Sequence, residues 1–326
     1  MTKSRIIVDI DLDKEGKQSG YARLPHSVNR SAYGWLPIPL VSIKNGSGSR
    51  VLLLAGAHGD EYEGQVALSR IAQQIEAQMI TGQLIIMPMA NYPAAAAGTR
   101  VSPIDGGNLN RLYPGRADGS PTEKIADFIE TELMTRVDLV IDLHSGGTSL
   151  NYLPSIMLPR RLSVDDELEA LVRAFGAPYG ILFGTPPRSG NASEAASRNK
   201  IVRISTELGG GGGLNRTYRE LGEDGVKRML AQLNVISGEG LPKPGETTIL
   251  EAEPAGFVFA SKNGIFESAI RLGNRVERGD VAGHIYFPHE PLREPEVVYF
   301  DASGTVVCER SIAMCEVGDC LMHLGR

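Results

Sequence analysis

Cysteine is scarce in this chain. Only Cys308, Cys315 and Cys320 occur among 326 residues, and all three lie near the C-terminus. An odd, clustered set does not build a disulfide framework, so we expect a reduced, cytoplasmic protein. No Cys-x-x-Cys pair is present, which argues against a cysteine zinc site. The N-terminal residues lack a signal-peptide pattern, and no run approaches the ~18 apolar residues of a membrane span, so we expect no membrane partner.

Positive charge is also in short supply. Lysine and arginine total 33 against 39 acidic residues, which gives a formal net charge of −6. This balance, without a basic block, predicts that nucleic acid is not a partner. A Gly-Lys-Ser/Thr phosphate loop is missing too. With 42% hydrophobic residues, the chain indicates a globular protein, long enough for one large domain and a smaller one.

From residue 50 to about 236, short apolar runs alternate with helical patterns. The apolar runs cover 51–54, 84–87, 139–143, 181–183 and 201–204. The helical patterns lie near 63–78, 121–135, 164–175 and 216–235, and the second opens with Ser120-Pro-Thr-Glu123, a capping box. This alternation predicts an α/β fold with a mixed, mostly parallel sheet and helices on both faces. Residues 1–45 alternate apolar and polar positions and are predicted to form edge strands or hairpins.

The character of the chain changes at a Gly/Pro-rich stretch over 238–245, which we interpret as a linker. Beyond it helical periodicity disappears, and short β-like runs are separated by glycine turns. We therefore predict an α/β domain with N-terminal edge strands over 1–240, and a small all-β domain over 246–326.

Two histidines each follow an apolar, β-branched run. His58 lies in GAHGDEYEG (56–64) and His144 in DLHSGG (142–147). Ligands of open α/β sheets gather outside the carboxyl ends of the strands. His58 and Glu61 have a His-x-x-Glu spacing that can direct both side chains at one ion. With His144 they make a three-ligand set that leaves one position for water, the pattern of a catalytic zinc.

Neighbouring acids offer alternatives or support. Asp60 and Glu63 compete with Glu61 as ligand; spacing favours Glu61, and we interpret the other two as solvent-facing or as supporting groups. Asp142 lies two residues before His144 and so on the same face of a strand. It can accept a hydrogen bond from a ligand histidine and fix its tautomer, or it can be a buried acid paired elsewhere.

Glu207 closes the run over 201–207, ahead of Leu208 and five glycines. It is a third polar residue at a strand end of the same predicted sheet. A zinc-activated water needs a base that takes its proton and later delivers it to the leaving amine, and a glutamate near the metal can serve as that base. The glycines allow backbone to pass close to a substrate. The alternative is a glutamate at a helix entry or on the surface.

Two arginines belong to the same constellation. Asn110 and Arg111 lie in the glycine-rich loop DGGNLNRLYPG (105–115), and Arg100 lies upstream. Arginine offers a rigid fork that suits a carboxylate. A cation near the zinc could also polarise the scissile carbonyl and stabilise its oxyanion. Either arginine taken alone could instead form a surface ion pair.

Together these motifs resemble the succinylglutamate desuccinylase/aspartoacylase family, which has a zinc carboxypeptidase-like fold. The matching segments are GAHGDEYEG (56–64), DGGNLNRLYPG (105–115), DLHSGG (142–147) and TELGGGGG (206–213). The resemblance implies that His58, Glu61 and His144 bind one zinc and that Glu207 is the general base and acid.

The resemblance extends to the substrate. It implies that Asn110 and Arg111 hold the substrate carboxylate and that Arg100 polarises the carbonyl. It also implies that the C-terminal β domain partly covers the active site. The motifs HGDEYEG, GGNLNR and TEKIAD (122–127) and the run ELGGGG resemble most closely the family's N-acetyl-L-2,4-diaminobutyrate deacetylases of ectoine degradation.

We therefore expect a zinc-dependent amidohydrolase that acts on a small N-acyl amino acid. A desuccinylase, an aspartoacylase or a metallocarboxypeptidase would keep the chemistry and change the substrate. A non-catalytic zinc- or ligand-binding protein is the alternative of another class, and the presence of Glu207 argues against it. The sequence does not identify the acyl group or the amino-acid side chain, and it leaves a homo-oligomer open.

Overall fold

The computed structural model describes residues 4–159, 166–183 and 190–326. Within these ranges the chain forms eighteen strands. They are β1 (Ile7–Val8), β2 (Gly16–Pro25), β3 (Trp35–Asn45), β4 (Arg50–Ala55), β5 (Gly82–Met87), β6 (Leu139–His144), β7 (Leu150–Tyr152), β8 (Ser155–Pro159), β9 (Tyr179–Phe183), β10 (Val202–Glu207), β11 (Thr248–Phe259), β12 (Gly264–Ser268), β13 (Arg275–Val276), β14 (Val281–Tyr286), β15 (Glu296–Tyr299), β16 (Gly304–Arg310), β17 (Met314–Cys315) and β18 (Cys320–Gly325).

The same ranges contain six α-helices. They are α1 (Tyr62–Gln74), α2 (Tyr92–Ala97), α3 (Pro121–Phe128), α4 (Asp166–Phe175), α5 (Ala192–Arg198) and α6 (Arg216–Gln232). The predicted capping box is present at the start of α3, where Glu123 accepts a hydrogen bond from the backbone N–H of Ser120 over 2.8 Å. The helical pattern over 121–135 is not one α-helix, because a π-turn at Ile129–Leu133 and a 3₁₀ turn at Met134–Arg136 follow α3. No helix in the described ranges combines the length and apolar character needed to cross a membrane.

One large sheet organises the chain. Its strand order is β1-β2-β3-β5-β4-β6-β10-β8-β9-β11-β18-β16-β13, and β7 pairs with β16. The predicted mixed α/β fold is therefore confirmed. The description "mostly parallel" holds only for the centre, since β5-β4-β6-β10 and β8-β9-β11 are parallel while the remaining pairs are antiparallel. Strands β1, β2 and β3 follow one another through short connections, which allow only antiparallel pairing.

The central strands are buried on both faces. In β4, Val51 and Leu53 pack on the side of α1, α4 and α6, whereas Leu52 and Leu54 pack on the side of α3 and α5. This arrangement explains why β4 reads as a continuous apolar run and not as an alternating one. Helices therefore cover both faces of the sheet, as predicted.

The C-terminal region adds a second sheet, with strand order β15-β14-β12-β17. It shares a hydrophobic core with strands of the large sheet. That core includes Phe266, Ile285, Phe300 and Met322. The long strand β11 leads into this region, since its first residues pair with β9 and its later residues pair with β18. The small all-β sheet is thus present, while the division into domains at 240 and 246 stays a prediction because β11 belongs to both parts.

Candidate metal and active site

The predicted metal ligands come from two neighbouring parallel strands. His58 follows β4, Glu61 immediately precedes α1, and His144 is the last residue of β6. Gly59 in this turn has no room for a side chain, because a Cβ there would lie 2.0 Å from the backbone carbonyl of Ala94. The glycine therefore lets the segment between His58 and Glu61 pack directly against the backbone of α2.

The three side chains meet in a buried cluster. A Glu61 carboxylate oxygen, Oε1, lies 2.6 Å from His58 Nδ1, and the other, Oε2, lies 2.9 Å from His144 Nδ1. Their candidate ligand atoms all lie within 4.8 Å of one another. Burial alone raises the pKa of Glu61, but the charges of His58 and His144 outweigh it and bring the pKa to about 2. Two imidazole nitrogens and an ionised carboxylate are donors that suit zinc, so the residues fit the predicted metal.

A second polar group lies behind each histidine. His144 Nε2 is 3.1 Å from Asp142 Oδ2, and His58 Nε2 is 3.1 Å from Asn108 Oδ1. The Asn108 oxygen also accepts from the backbone N–H of Asn110 over 3.1 Å. Both nitrogens of each ring therefore face oxygens, and a metal bound at the two Nδ1 atoms would leave each Nε2 as the N–H donor to its oxygen. Sequence reasoning named Asp142 and missed Asn108, although Asn108 lies within the quoted motif GGNLNR.

Asp142 has a cation as well as an imidazole beside it. The Arg203 guanidinium donates to Asp142 Oδ2 over 2.6 Å. Burial alone raises the pKa of Asp142, but His144 and Arg203 together hold it well below its ordinary value. Asp142 is therefore an ionised acceptor for the His144 N–H.

Glu207 ends β10 and pairs in parallel register with His144 on β6. One of its carboxyl oxygens, Oε2, is buried and lacks a hydrogen-bond partner among the described residues. Burial and the nearby Glu61 charge raise the pKa of Glu207 to about 8. A carboxyl group with such a pKa can take up and release a proton near neutral pH.

The glycine run after Glu207 has a backbone conformation that only glycine adopts readily. Gly209, Gly210, Gly211 and Gly212 have φ angles of 83°, 141°, 76° and 75°. A Cβ on Gly210 would lie 2.1 Å from the carbonyl oxygen of Leu150. The run therefore passes close to the chain that follows His144. A close approach of the same backbone to a substrate stays a prediction.

Arg100 lies beside a predicted metal ligand and close enough to Arg111 for the two charges to interact. Arg100 Nη1 lies 3.6 Å from Glu61 Oε1. Partial burial and the nearby Arg100 charge lower the pKa of Arg111. No ion pair joins Arg111 to an acid among the described residues; its Nη1 donates to the carbonyl of Asn110 over 2.7 Å. Two guanidinium groups near each other favour the binding of an anion beside them.

Asn110 is partly engaged by the protein. Its Oδ1 accepts a hydrogen bond from the backbone N–H of Ala192, at the start of α5, over 3.0 Å. That contact fastens the loop of Asn110 and Arg111 to α5. A ligand could be reached only by the remaining NH2 group of the Asn110 side chain.

The two competing acids are buried, so of the two interpretations of Asp60 and Glu63 the solvent-facing one is wrong and the supporting one holds. Asp60 accepts from the backbone N–H of Thr148 over 2.7 Å, in the loop after His144. Glu63 accepts from the backbone N–H of Asn215 over 2.9 Å, just before α6. Both acids satisfy backbone donors of flanking loops and so have a supporting position.

The C-terminal region contacts the loop that follows His144. Strand β7 comes directly after that loop and pairs with β16, where Tyr152 is opposite Cys308. The backbone N–H of Ser311 donates to the carbonyl of Ser149 over 2.9 Å. This places β16 against the chain segment that connects His144 to β8.

Known proteins share this sequence and fold. The model of the succinylglutamate desuccinylase/aspartoacylase catalytic domain matches residues 47–233. An N-alpha-acetyl-L-2,4-diaminobutyric acid deacetylase of Halomonas elongata is 36% identical over 320 residues, which are 97% of this chain and 93% of the relative.

Solved structures agree with that match. The product-bound ectoine utilization protein EutE (DoeB) from Ruegeria pomeroyi is 37% identical with a TM-score of 0.95, over 100% of this chain and 99% of the other. A succinylglutamate desuccinylase/aspartoacylase from Rhodobacter sphaeroides is 33% identical with a TM-score of 0.92, over 99% of each chain. The chain belongs to the succinylglutamate desuccinylase/aspartoacylase family.

Proposed function

We propose that this protein is a zinc-dependent amidohydrolase that removes the acetyl group from N-acetyl-L-2,4-diaminobutyrate. The observation that carries the proposal is the buried set of His58, Glu61 and His144, with Glu207 beside it in sheet register. We expect these three residues to hold one zinc per chain. When bound, zinc would supply a Lewis acid that polarises the amide carbonyl and makes a water acidic near neutral pH.

Glu207 is the proposed general base and acid. Its carboxylate takes a proton from the attacking water as the new carbon–oxygen bond forms at the amide carbonyl. The same carboxyl group then gives that proton to the amide nitrogen as the carbon–nitrogen bond breaks. Acetate and the free amino acid are the products. Burial is the largest cause of the raised pKa of Glu207, and a raised pKa suits a group that must hold the proton between the two steps.

Arg100 and Arg111 are proposed to stabilise two different negative charges of the reacting substrate. Arg100 lies next to Glu61 and would stabilise the oxyanion that develops on the carbonyl. Arg111 has a guanidinium fork without an acidic partner among the described residues, and it would bind the α-carboxylate. The NH2 group of Asn110 would donate a further hydrogen bond to that carboxylate. Asp142 would keep His144 oriented.

The preference for the acetylated diamino acid is supported by the Halomonas deacetylase and by the ectoine utilization protein, each similar over nearly the whole chain. The alternatives within the same chemistry are a desuccinylase, an aspartoacylase and a metallocarboxypeptidase. A zinc- or ligand-binding protein without activity is the alternative outside it. The protein is proposed to adopt a zinc carboxypeptidase-like fold and to act in the cytoplasm. Its C-terminal β region is proposed to cover the active site partly. Its oligomeric state is open.

A substrate panel tests the proposal. Zinc-loaded protein would be given N-acetyl-L-2,4-diaminobutyrate, N-acetyl-L-aspartate, N-succinyl-L-glutamate and a short peptide, and release of free amine would be measured. The proposal expects the highest kcat/KM on the first substrate and loss of activity in a His58→Ala variant. A higher kcat/KM on the succinylated substrate would indicate a desuccinylase, and a higher kcat/KM on the peptide would indicate a metallocarboxypeptidase. A zinc-loaded protein that releases no amine from any N-acyl amino acid would favour the binding protein.

A further inference from the structure

Arg203 is a buried cation that the proposed reaction does not use directly. It lies on β10, next to β6, and its side chain is only 8% exposed. Its Nη2 and Nε donate to Asp142 Oδ2 over 2.6 and 3.2 Å. Its Nη1 donates to the hydroxyl groups of Ser193 and Ser205 over 2.9 and 3.1 Å. The guanidinium is thus held on both sides, and its position is determined by β10 and α5.

The contact with Asp142 is made at a single oxygen. The same Oδ2 that accepts from Arg203 also lies 3.1 Å from His144 Nε2, while Oδ1 is buried without a hydrogen-bond partner among the described residues. Arg203 and the His144 ring thus meet at the same carboxylate oxygen, and Arg203 Nη2 itself lies 3.4 Å from His144 Nε2. The ion pair with Arg203 limits the rotation of the Asp142 carboxylate about its Cβ–Cγ bond. That rotation determines where the acceptor for the His144 N–H lies.

We propose that Arg203 is a positioning residue of the metal centre, which acts through Asp142 to keep His144 Nδ1 directed at Glu61. The inference rests on the proposed zinc site. Without Arg203 the Asp142 carboxylate could rotate, and the imidazole would lose its fixed acceptor. Groups that orient ligand histidines in this way typically change metal affinity ~10- to 100-fold when they are removed.

A second arginine provides a matched control. Arg198 on α5 also binds a buried acid, since its Nε and Nη2 donate to the two carboxylate oxygens of Glu130 over 2.7 and 2.8 Å. It therefore anchors the helix that Arg203 contacts through Ser193. The ion pairs of Arg198 within the described residues involve Glu130 and Glu194, which are not predicted metal ligands. Arg198→Met removes an arginine–acid pair without removing a contact of Asp142 or His144, so the zinc affinity should stay at the wild-type value.

The test is a double-mutant cycle read by zinc affinity. Arg203→Met, Asp142→Ala, the double variant, Arg198→Met and the wild type would be compared by chelator competition, with circular dichroism as the folding check. We expect each of the first two variants to bind zinc ~10- to 100-fold more weakly. The double variant should be little weaker than the worse single variant, because both changes interrupt one connection. Arg198→Met should bind zinc as the wild type does.

Arg203→Lys keeps the test decisive if Arg203→Met does not fold. An ammonium can reach Asp142 but cannot also hold Ser193 and Ser205 as a rigid fork does, so we expect an intermediate zinc affinity. Two results would overturn this inference and leave the proposed function intact. One is wild-type zinc affinity in the folded Arg203→Met or Arg203→Lys variant, and the other is fully additive effects of Arg203→Met and Asp142→Ala. Failure of the wild type to bind zinc would instead overturn the proposed function on which the inference rests.

Discussion

His323 should make the folded protein sensitive to acid. It lies on β18, is fully buried, stacks on Phe257 at 4.0 Å between ring centroids, and has no hydrogen-bond partner for either ring nitrogen among the described residues. Burial lowers its pKa from 6.5 to about 4. In the unfolded chain the pKa returns to about 6.5, so the unfolded state binds the proton first as the pH falls.

The sign and size of the effect follow from these two values. The contribution of His323 to stability is unaffected above about pH 6.5, falls as the pH drops below that value, and levels off below about pH 4. At 1.36 kcal/mol per unit of pKa, the full loss is about 3 kcal/mol, of which about 2 kcal/mol has occurred at about pH 5. The loss is a property of His323 and should disappear when phenylalanine replaces it.

Urea denaturation of the wild type and of His323→Phe at about pH 7.5 and about pH 5 measures this difference. Other titrating groups are common to both proteins, so they cancel in the comparison. We expect the wild type to lose about 2 kcal/mol more than the variant between the two pH values. The exposed His289 provides the control, since His289→Phe replaces a histidine without removing a buried imidazole. Equal losses in the wild type and in His323→Phe would refute the reasoning.

Three further predictions concern the site. Glu207→Gln should lower kcat by ~10²–10⁴-fold while zinc content, measured by elemental analysis, stays at the wild-type level; loss of zinc would move Glu207 into the coordination shell. Arg111→Lys should lower kcat/KM at least ~10-fold although the charge is kept, because an ammonium cannot form a planar two-pronged contact; unchanged kinetics would remove Arg111 from the site. Asn108→Ala should weaken zinc binding ~10- to 100-fold in a chelator competition, whereas an unchanged affinity would mean that Asn108 does not orient His58.

Much of the central sheet is predictable from the sequence. The runs over 51–54 and 139–143 are continuous and apolar, because both faces of β4 and β6 are covered. The sequence does not predict β8 (Ser155–Pro159), although that strand lies inside the sheet between β10 and β9. The interruption of the 121–135 pattern by a π-turn was missed because its residues Ile129–Leu133 are ordinary helix formers.

Some residues of the site can likewise be predicted from the sequence, and others cannot. His58, Glu61 and His144 could be predicted because each lies at a strand end or one turn beyond it, where the topology brings side chains together. Asn108 is 50 positions from His58, and Arg203 is 61 positions from Asp142. Such contacts depend on how loops and strands pack, which no local pattern records. Glu63 shows the converse, since a charged residue in a loop-to-helix segment suggests exposure to solvent, whereas Glu63 is buried and accepts from the backbone N–H of Asn215.

The zinc content of purified protein tests the central claim most directly. Elemental analysis would compare the wild type with His58→Ala, His144→Ala and Glu207→Gln, each checked for folding. The account predicts about one zinc per chain in the wild type and in Glu207→Gln, and its loss in both histidine variants. Zinc that is undiminished in both folded histidine variants would contradict the account.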